Sequence, residues 1–157
     1  MERRERFRAV EGWIELGCFS EAAEELHKLP GDLKTSVEFL RSWICVYAGL
    51  KSWRNLEIVC DALLAHRAGD ELALSQKAEA LHRQGKGAEA IRVIGQIPHG
   101  KQKPEALYNL ARYLCAIGQP AEALTVLGFA FDLDLSLRMR ALVDPELETV
   151  WLDINEG

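Results

Sequence analysis

Long apolar runs, signal-like leaders and paired cysteines are all missing from this chain of 157 residues. Its longest uncharged apolar stretches fall well short of the roughly 20 residues a membrane helix needs, so no spanning segment is expected. The amino terminus, Met1-Glu2-Arg3-Arg4-Glu5-Arg6-Phe7-Arg8, alternates charges and leads into no apolar segment, and no secretory signal is expected there. The four cysteines (18, 45, 60 and 115) form no C-x-x-C pair, which fits reduced thiols acting as small apolar side chains in a cytoplasmic protein. The four histidines (27, 66, 82 and 99) make no H-x-x-x-H or H-E-x-x-H pattern, so no metal site and no cofactor are expected. Alternating apolar and polar runs bounded by hairpin turns are lacking as well, which argues against strands.

An excess of positive charge is also absent. Nineteen Lys and Arg stand against 24 Asp and Glu, a net charge of −5, the wrong sign for a protein that neutralises phosphates. No nucleic-acid or membrane partner is expected. Residues 132 to 157 hold seven acids and two bases, leaving 17 of each sign in the rest of the chain. With 48% hydrophobic and 27% charged residues, the composition is that of a folded globular chain, and the length is that of one domain spanning 1–157.

What the sequence does have is a period. Gly17, Gly85 and Gly118 are each followed, after three residues, by Glu-Ala: Glu21-Ala22, Glu89-Ala90 and Glu122-Ala123. The 68-residue gap between the first two is twice 34, which places a degenerate copy at Lys51 with Leu56 in the Ala position. Fixed columns follow each turn. Ala22, Leu56, Ala90 and Ala123 come first, then Leu26, Cys60, Ile94 and Leu127 four residues on, then Leu29, Leu63, Ile97 and Ala130 three further. Steps of four and three mark one face of a helix. A second helical set precedes each turn: Val10 with Trp13, Ile44 with Tyr47, Ala78 with Leu81, and Ala111 with Leu114. Each unit is therefore two amphipathic helices joined by a tight turn, with small residues where the two axes cross.

These columns resemble the tetratricopeptide repeat (TPR) family, whose 34-residue unit has an aromatic in its first helix, a Gly turn, an Ala opening the second helix and a closing Pro. Four units cover about 3–31, 35–69, 70–102 and 103–135. Pro30 and Pro98 come early, which shortens the second helices of units one and three. Tyr108-Asn109-Leu110-Ala111 followed by Asp144-Pro145-Glu146-Leu147 also resembles a subgroup of small bacterial stand-alone repeat proteins. The resemblance implies an all-α, right-handed superhelical solenoid. The segment 136–157 suits its cap: Asp144 is a natural N-cap, Pro145 fits the first helical position, and Leu147, Val150, Trp151 and Ile154 form one apolar stripe.

No G-x-S-x-G elbow or complete phosphate loop is present. Adjacent carboxylates such as Glu24-Glu25 read as solvated helix surface, and Trp13, Trp43 and Tyr47 as core. Trp53 reads as a wedge in a turn. The chain is expected not to be an enzyme. In a stack of helical hairpins the first helices line an extended concave surface. The period places Arg4, Phe7, Arg8, Glu11, Ile14 and Glu15 there in unit one, and Glu38, Arg41, Ser42, Cys45, Ala48 and Gly49 in unit two. Leu72, Ser75, Gln76, Glu79, His82 and Arg83 follow in unit three, and Glu105, Tyr108, Asn109, Arg112, Cys115 and Ala116 in unit four. The Lys-Asn and Lys-Arg pairs by which some family members grip a terminal carboxylate are not present. Tyr108, Asn109 and Arg112, with Arg41, Gln76 and Arg83, instead offer an aromatic face, an amide for an extended backbone and donors for carboxylates. They are the expected partner contacts for a protein or peptide segment. A cytoplasmic chaperone similar to small TPR secretion chaperones and a structural, self-associating protein are the alternatives.

Overall fold

A computed structural model describes residues 3–157; Met1 and Glu2, where the charged amino-terminal run begins, lie outside the described residues. Among those residues the chain is all-α and 79% helical, with no strand. Ten α-helices follow one another: α1 (Arg3–Glu15), α2 (Phe19–Lys28), α3 (Val37–Gly49), α4 (Trp53–His66), α5 (Glu71–Arg83), α6 (Gly87–Ile94), α7 (Pro104–Ala116), α8 (Pro120–Leu133), α9 (Ser136–Ala141) and α10 (Trp151–Glu156). They fall into two compact units, Met1–Gln84 and Gly85–Gly157.

The recurring turn is visible in the backbone. Gly17, Gly85 and Gly118 have φ of 71°, 77° and 78°, and Lys51, the degenerate copy, has φ of 56°. All four positions thus occupy the left-handed region, which ends a helix by turning its chain back on the last carbonyls. The bonds expected of that geometry are present. Cys18 N–H donates to the Trp13 carbonyl at 2.8 Å, Ser52 N–H to Tyr47 at 2.9 Å, and Gln119 N–H to Leu114 at 2.9 Å. No atom lies near an added Cβ at Gly17, Gly85 or Gly118, so glycine serves the backbone there and not packing.

In the first unit α1 packs on α2, α3 on α4 and α4 on α5, while α1 and α3, and α3 and α5, also touch. This packing of consecutive helices is consistent with a helical repeat. Its core gathers Phe7, Val10, Ala22, Leu26, Ile44, Leu56, Cys60 and Leu63. Removing each Leu from water contributes about 2 kcal/mol. A Cβ at Gly49 would overlap the Phe19 ring, so the end of α3 meets the start of α2 without room for a side chain. Along α3 the Trp43 ring stacks on Tyr47 with centroids 4.8 Å apart and meets Phe39 edge-on at 6.2 Å, and His27 meets it edge-on at 5.1 Å. Trp53 opens α4 instead of standing in the turn, and its ring lies 5.7 Å from the Arg83 guanidinium.

In the second unit α7 packs on α6 and on α8, around Leu107, Tyr108, Ala111, Leu114, Ala123 and Leu127. Helices α7 and α8 both start on a proline, where no N–H is needed. As the early prolines imply, α2 and α6 are short, with 10 and 8 residues against 14 in both α4 and α8. The tail differs from a single helix. Pro145–Val150 is a 3₁₀ segment, opened by Leu147 N–H on the Asp144 carbonyl at 3.0 Å, and α10 follows it. Because residues three apart eclipse one another in a 3₁₀ helix, Leu147 and Val150 stay in line, and both are buried, with Ile154. Trp151 is half-buried and donates its Nε1–H to the Ala141 carbonyl at 2.8 Å.

Because a left-handed conformation costs a side chain about 1 kcal/mol relative to glycine, Lys51→Gly is expected to stabilise the protein by about that amount. Urea denaturation followed by circular dichroism measures it, and the midpoint should rise with an unchanged slope.

Candidate functional site

The first unit carries a cleft of about 340 Å³ between α1 and α3. Its lining is Phe7, Glu11, Ile14 and Glu15 from α1, and Glu38, Arg41, Ser42 and Cys45 from α3. All eight are positions the repeat assigns to the outward face of a first helix. Phe7, 3% exposed, is the floor, Ile14, Ser42 and Cys45 are half-buried, and Glu11, Glu15 and Arg41 are exposed. Ser42 donates its hydroxyl to the Glu38 carbonyl at 2.9 Å. Burial raises the Cys45 thiol above its ordinary value, which keeps it protonated and apolar in character.

Arg41 reaches out of this cleft to α5. Its Nη2 donates to Asp70 Oδ2 at 2.6 Å, and the Asp70 side chain is only 3% exposed. The other Asp70 oxygen accepts from Ala73 N–H at 3.0 Å and so caps α5. Burial alone would raise the Asp70 carboxyl. The Arg41 hydrogen bond, the Ala73 N–H and the charges of Arg41 and Arg67 outweigh it and hold the group below the usual carboxylate value. Arg83 pairs with Glu79 one turn back at 2.8 Å, and Gln76 lies half-buried on α5. Gln84, at the end of the unit, donates to Glu57 at 2.8 Å. The first-unit residues expected to contact a partner therefore divide, with Arg41 alone lining the cleft.

In the second unit Tyr108, Asn109 and Arg112 are brought together, and the chain's own tail bonds Tyr108 and Arg112. The Tyr108 hydroxyl donates to Asp144 Oδ2 at 2.7 Å. Arg112 donates through Nε to Glu146 Oε2 at 3.0 Å and through Nη2 to the same oxygen, and its Nη1 donates to Asn109 Oδ1 at 2.9 Å. Arg140 lies 4.3 Å over the Tyr108 ring and pairs with Glu105 at 2.7 Å. Tyr108 is fully buried and Arg112 is 8% exposed, so neither lies on an open face. Burial first, then the Asp144 hydrogen bond and charge, push the Tyr108 phenol well above its ordinary value. The spacing of a first helix places these residues on its outward face without showing that the tail bonds two of them. The signal of that bonding is the period: Arg112 and Glu146 are 34 residues apart, the spacing that sets equivalent positions of successive units side by side.

A second cavity, of about 440 Å³, is lined by Ile94, Ile97, Leu107 and Leu110 with His99 and Lys101. It lies beside the shortened end of α6. Cys60 is fully buried in the first-unit core, and burial above all pushes its thiol up to about 12. Among the described residues no three His, Cys, Asp or Glu side chains are grouped so that they could hold a metal ion, and no helix is long and apolar enough to cross a membrane. Compared with models of known protein families and with curated proteins, the chain matches none.

The Arg41–Asp70 pair carries a pH signature. A carboxyl held low in the native state adds stability that is complete above its unfolded value, near pH 4 as a rough reference, and is lost as pH falls through the native value. Asp70→Asn is expected to cost about 1 kcal/mol at neutral pH through the weakened cap and pair. It should also flatten the acid limb of a stability curve measured by thermal melts from neutral pH downward.

Proposed function

We propose that this chain is a non-enzymatic helical-repeat module of the tetratricopeptide kind, a right-handed superhelical stack acting in the cytoplasm, that holds a segment of another protein on the exposed face of its first helices. The likeness to that family rests on the recurrence itself: a left-handed turn at 17, 51, 85 and 118, and a fully buried Ala or Leu five residues after each, at 22, 56, 90 and 123. The single observation that carries the reading is the α1–α3 cleft, whose apolar floor and polar rim are made from the residues the period turns outward. Ligand sites are characteristically concave and apolar with a few polar groups at the edge. In the second unit the corresponding face is occupied by Asp144 and Glu146, so the reading depends on the first unit. Free thiols at Cys18, Cys45, Cys60 and Cys115 support a reducing compartment.

The test is a selection of short random peptides displayed on phage against the purified chain, with each recovered peptide titrated against wild type and Ser42→Trp. The indole fills the cleft, and loss of one buried anchor is expected to weaken binding by about tenfold or more while the melting temperature stays close to wild type. Peptides that bind Ser42→Trp as well as wild type, or a selection that recovers none, would contradict the proposal.

A further inference from the structure

We propose that the α1–α3 cleft selects a segment in which one bulky aliphatic or aromatic side chain is flanked by Lys or Arg. This inference rests on the reading above and adds to it the partner's chemistry. At about 340 Å³ the cleft is at the small end of ligand pockets, which run from roughly 300 to 1,000 Å³, so it is matched to an anchor side chain and not to a whole helix. The anchor would lie against Phe7, Ile14 and Cys45, whose raised thiol stays uncharged. Burying one such side chain in an apolar recess surrounded by polar groups is the arrangement that concentrates binding energy at an interface.

The rim supplies the charge preference. Glu11 and Glu15 are one helical turn apart on the same edge, both exposed, and neither has an ion-pair partner among the described residues. Arg41 is the cation of the cleft lining, and its guanidinium is given to Asp70 at 2.6 Å. Paired with that buried carboxylate, Arg41 adds no net charge to the lining, which leaves Glu11 and Glu15 as the charge of that edge. An acidic segment is repelled here, and a Lys or Arg beside the anchor gains both an ion pair and packing of its aliphatic stem on the apolar floor. Direction comes from α1 itself: Arg4 and Arg8 precede Glu11 and with Glu5 and Glu11 line an adjoining depression, so the basic side chains lie toward the start of the helix and the partner's cation belongs at the Glu11–Glu15 end.

The composition of the peptides recovered from the random display selection reads this out directly. An apolar residue with Lys or Arg next to it should dominate. Each recovered peptide, synthesised with a fluorophore and followed by anisotropy, should bind about tenfold more weakly to Glu11→Lys/Glu15→Lys than to wild type, and more weakly as salt is added. Both substitutions are at exposed positions, and circular dichroism confirms that the variant is folded. Peptides that are acidic or lack a cation, or an affinity that the double charge reversal leaves unchanged while Ser42→Trp abolishes it, would overturn the charge preference and leave the peptide-holding role standing. Binding indifferent to Ser42→Trp would overturn both. A protein that sediments as a dimer and recovers no peptide would give the cleft to a second copy and equally overturn the proposal.

Discussion

A chain that must reverse direction at the same point in every unit constrains nearly everything else here. The left-handed residue returns the next amide to a carbonyl five residues back, as at Cys18, Ser52 and Gln119, and the following helix starts almost at once. That geometry drives the residue five positions after the turn into the core, where Ala22, Leu56, Ala90 and Ala123 are fully buried. Glycine meets the backbone demand at three of the four turns. Lys51 meets it with a side chain in a strained conformation, held there by the packing of α3 on α4, as strain persists only where the surroundings over-determine it.

The outward faces of the first helices have different fates in the two units. In the second unit α7 offers Tyr108 and Arg112 to the chain's own tail, and two acids of that tail answer them: Asp144 takes the phenol and Glu146 the guanidinium, while Glu105 of α7 itself pairs with Arg140, which lies over the ring. The acidic bias of the last residues is thus partly a local counter-charge. In the first unit the equivalent face of α1 and α3 stays open, its one lining arginine is turned aside to Asp70, and the glutamates on the rim are left facing solvent. A guanidinium paired with a buried carboxylate brings no net charge to the cleft, whereas the exposed glutamates of the rim do.

The helical periodicity, the four turns and the short second helices were legible because each rests on local chemistry: spacing of apolar residues, glycine's conformational freedom and proline's missing N–H. The eight cleft residues were legible for the same reason, since they follow from the period once one helix is placed. The pairings were not. Arg41 with Asp70 spans 29 residues and obeys no period; its only local sign is an aspartate just ahead of an apolar helical run, the mark of an N-cap. The period turns Tyr108 and Arg112 outward, but spacing on one helix face says nothing of Asp144 and Glu146, which bond them from the tail. The change of the tail to 3₁₀ turns at Pro145–Val150 preserves its apolar stripe, so hydrophobic spacing could not distinguish the two helix types.

The most direct measurement is nuclear magnetic resonance of the isotopically labelled chain titrated with a peptide recovered by selection. The account predicts that amide and methyl shifts concentrate on Glu11, Ile14, Ser42 and Cys45, along α1 and α3. Shifts concentrated instead around Ile94, His99 and Leu110, or spread without focus over the surface, would contradict it.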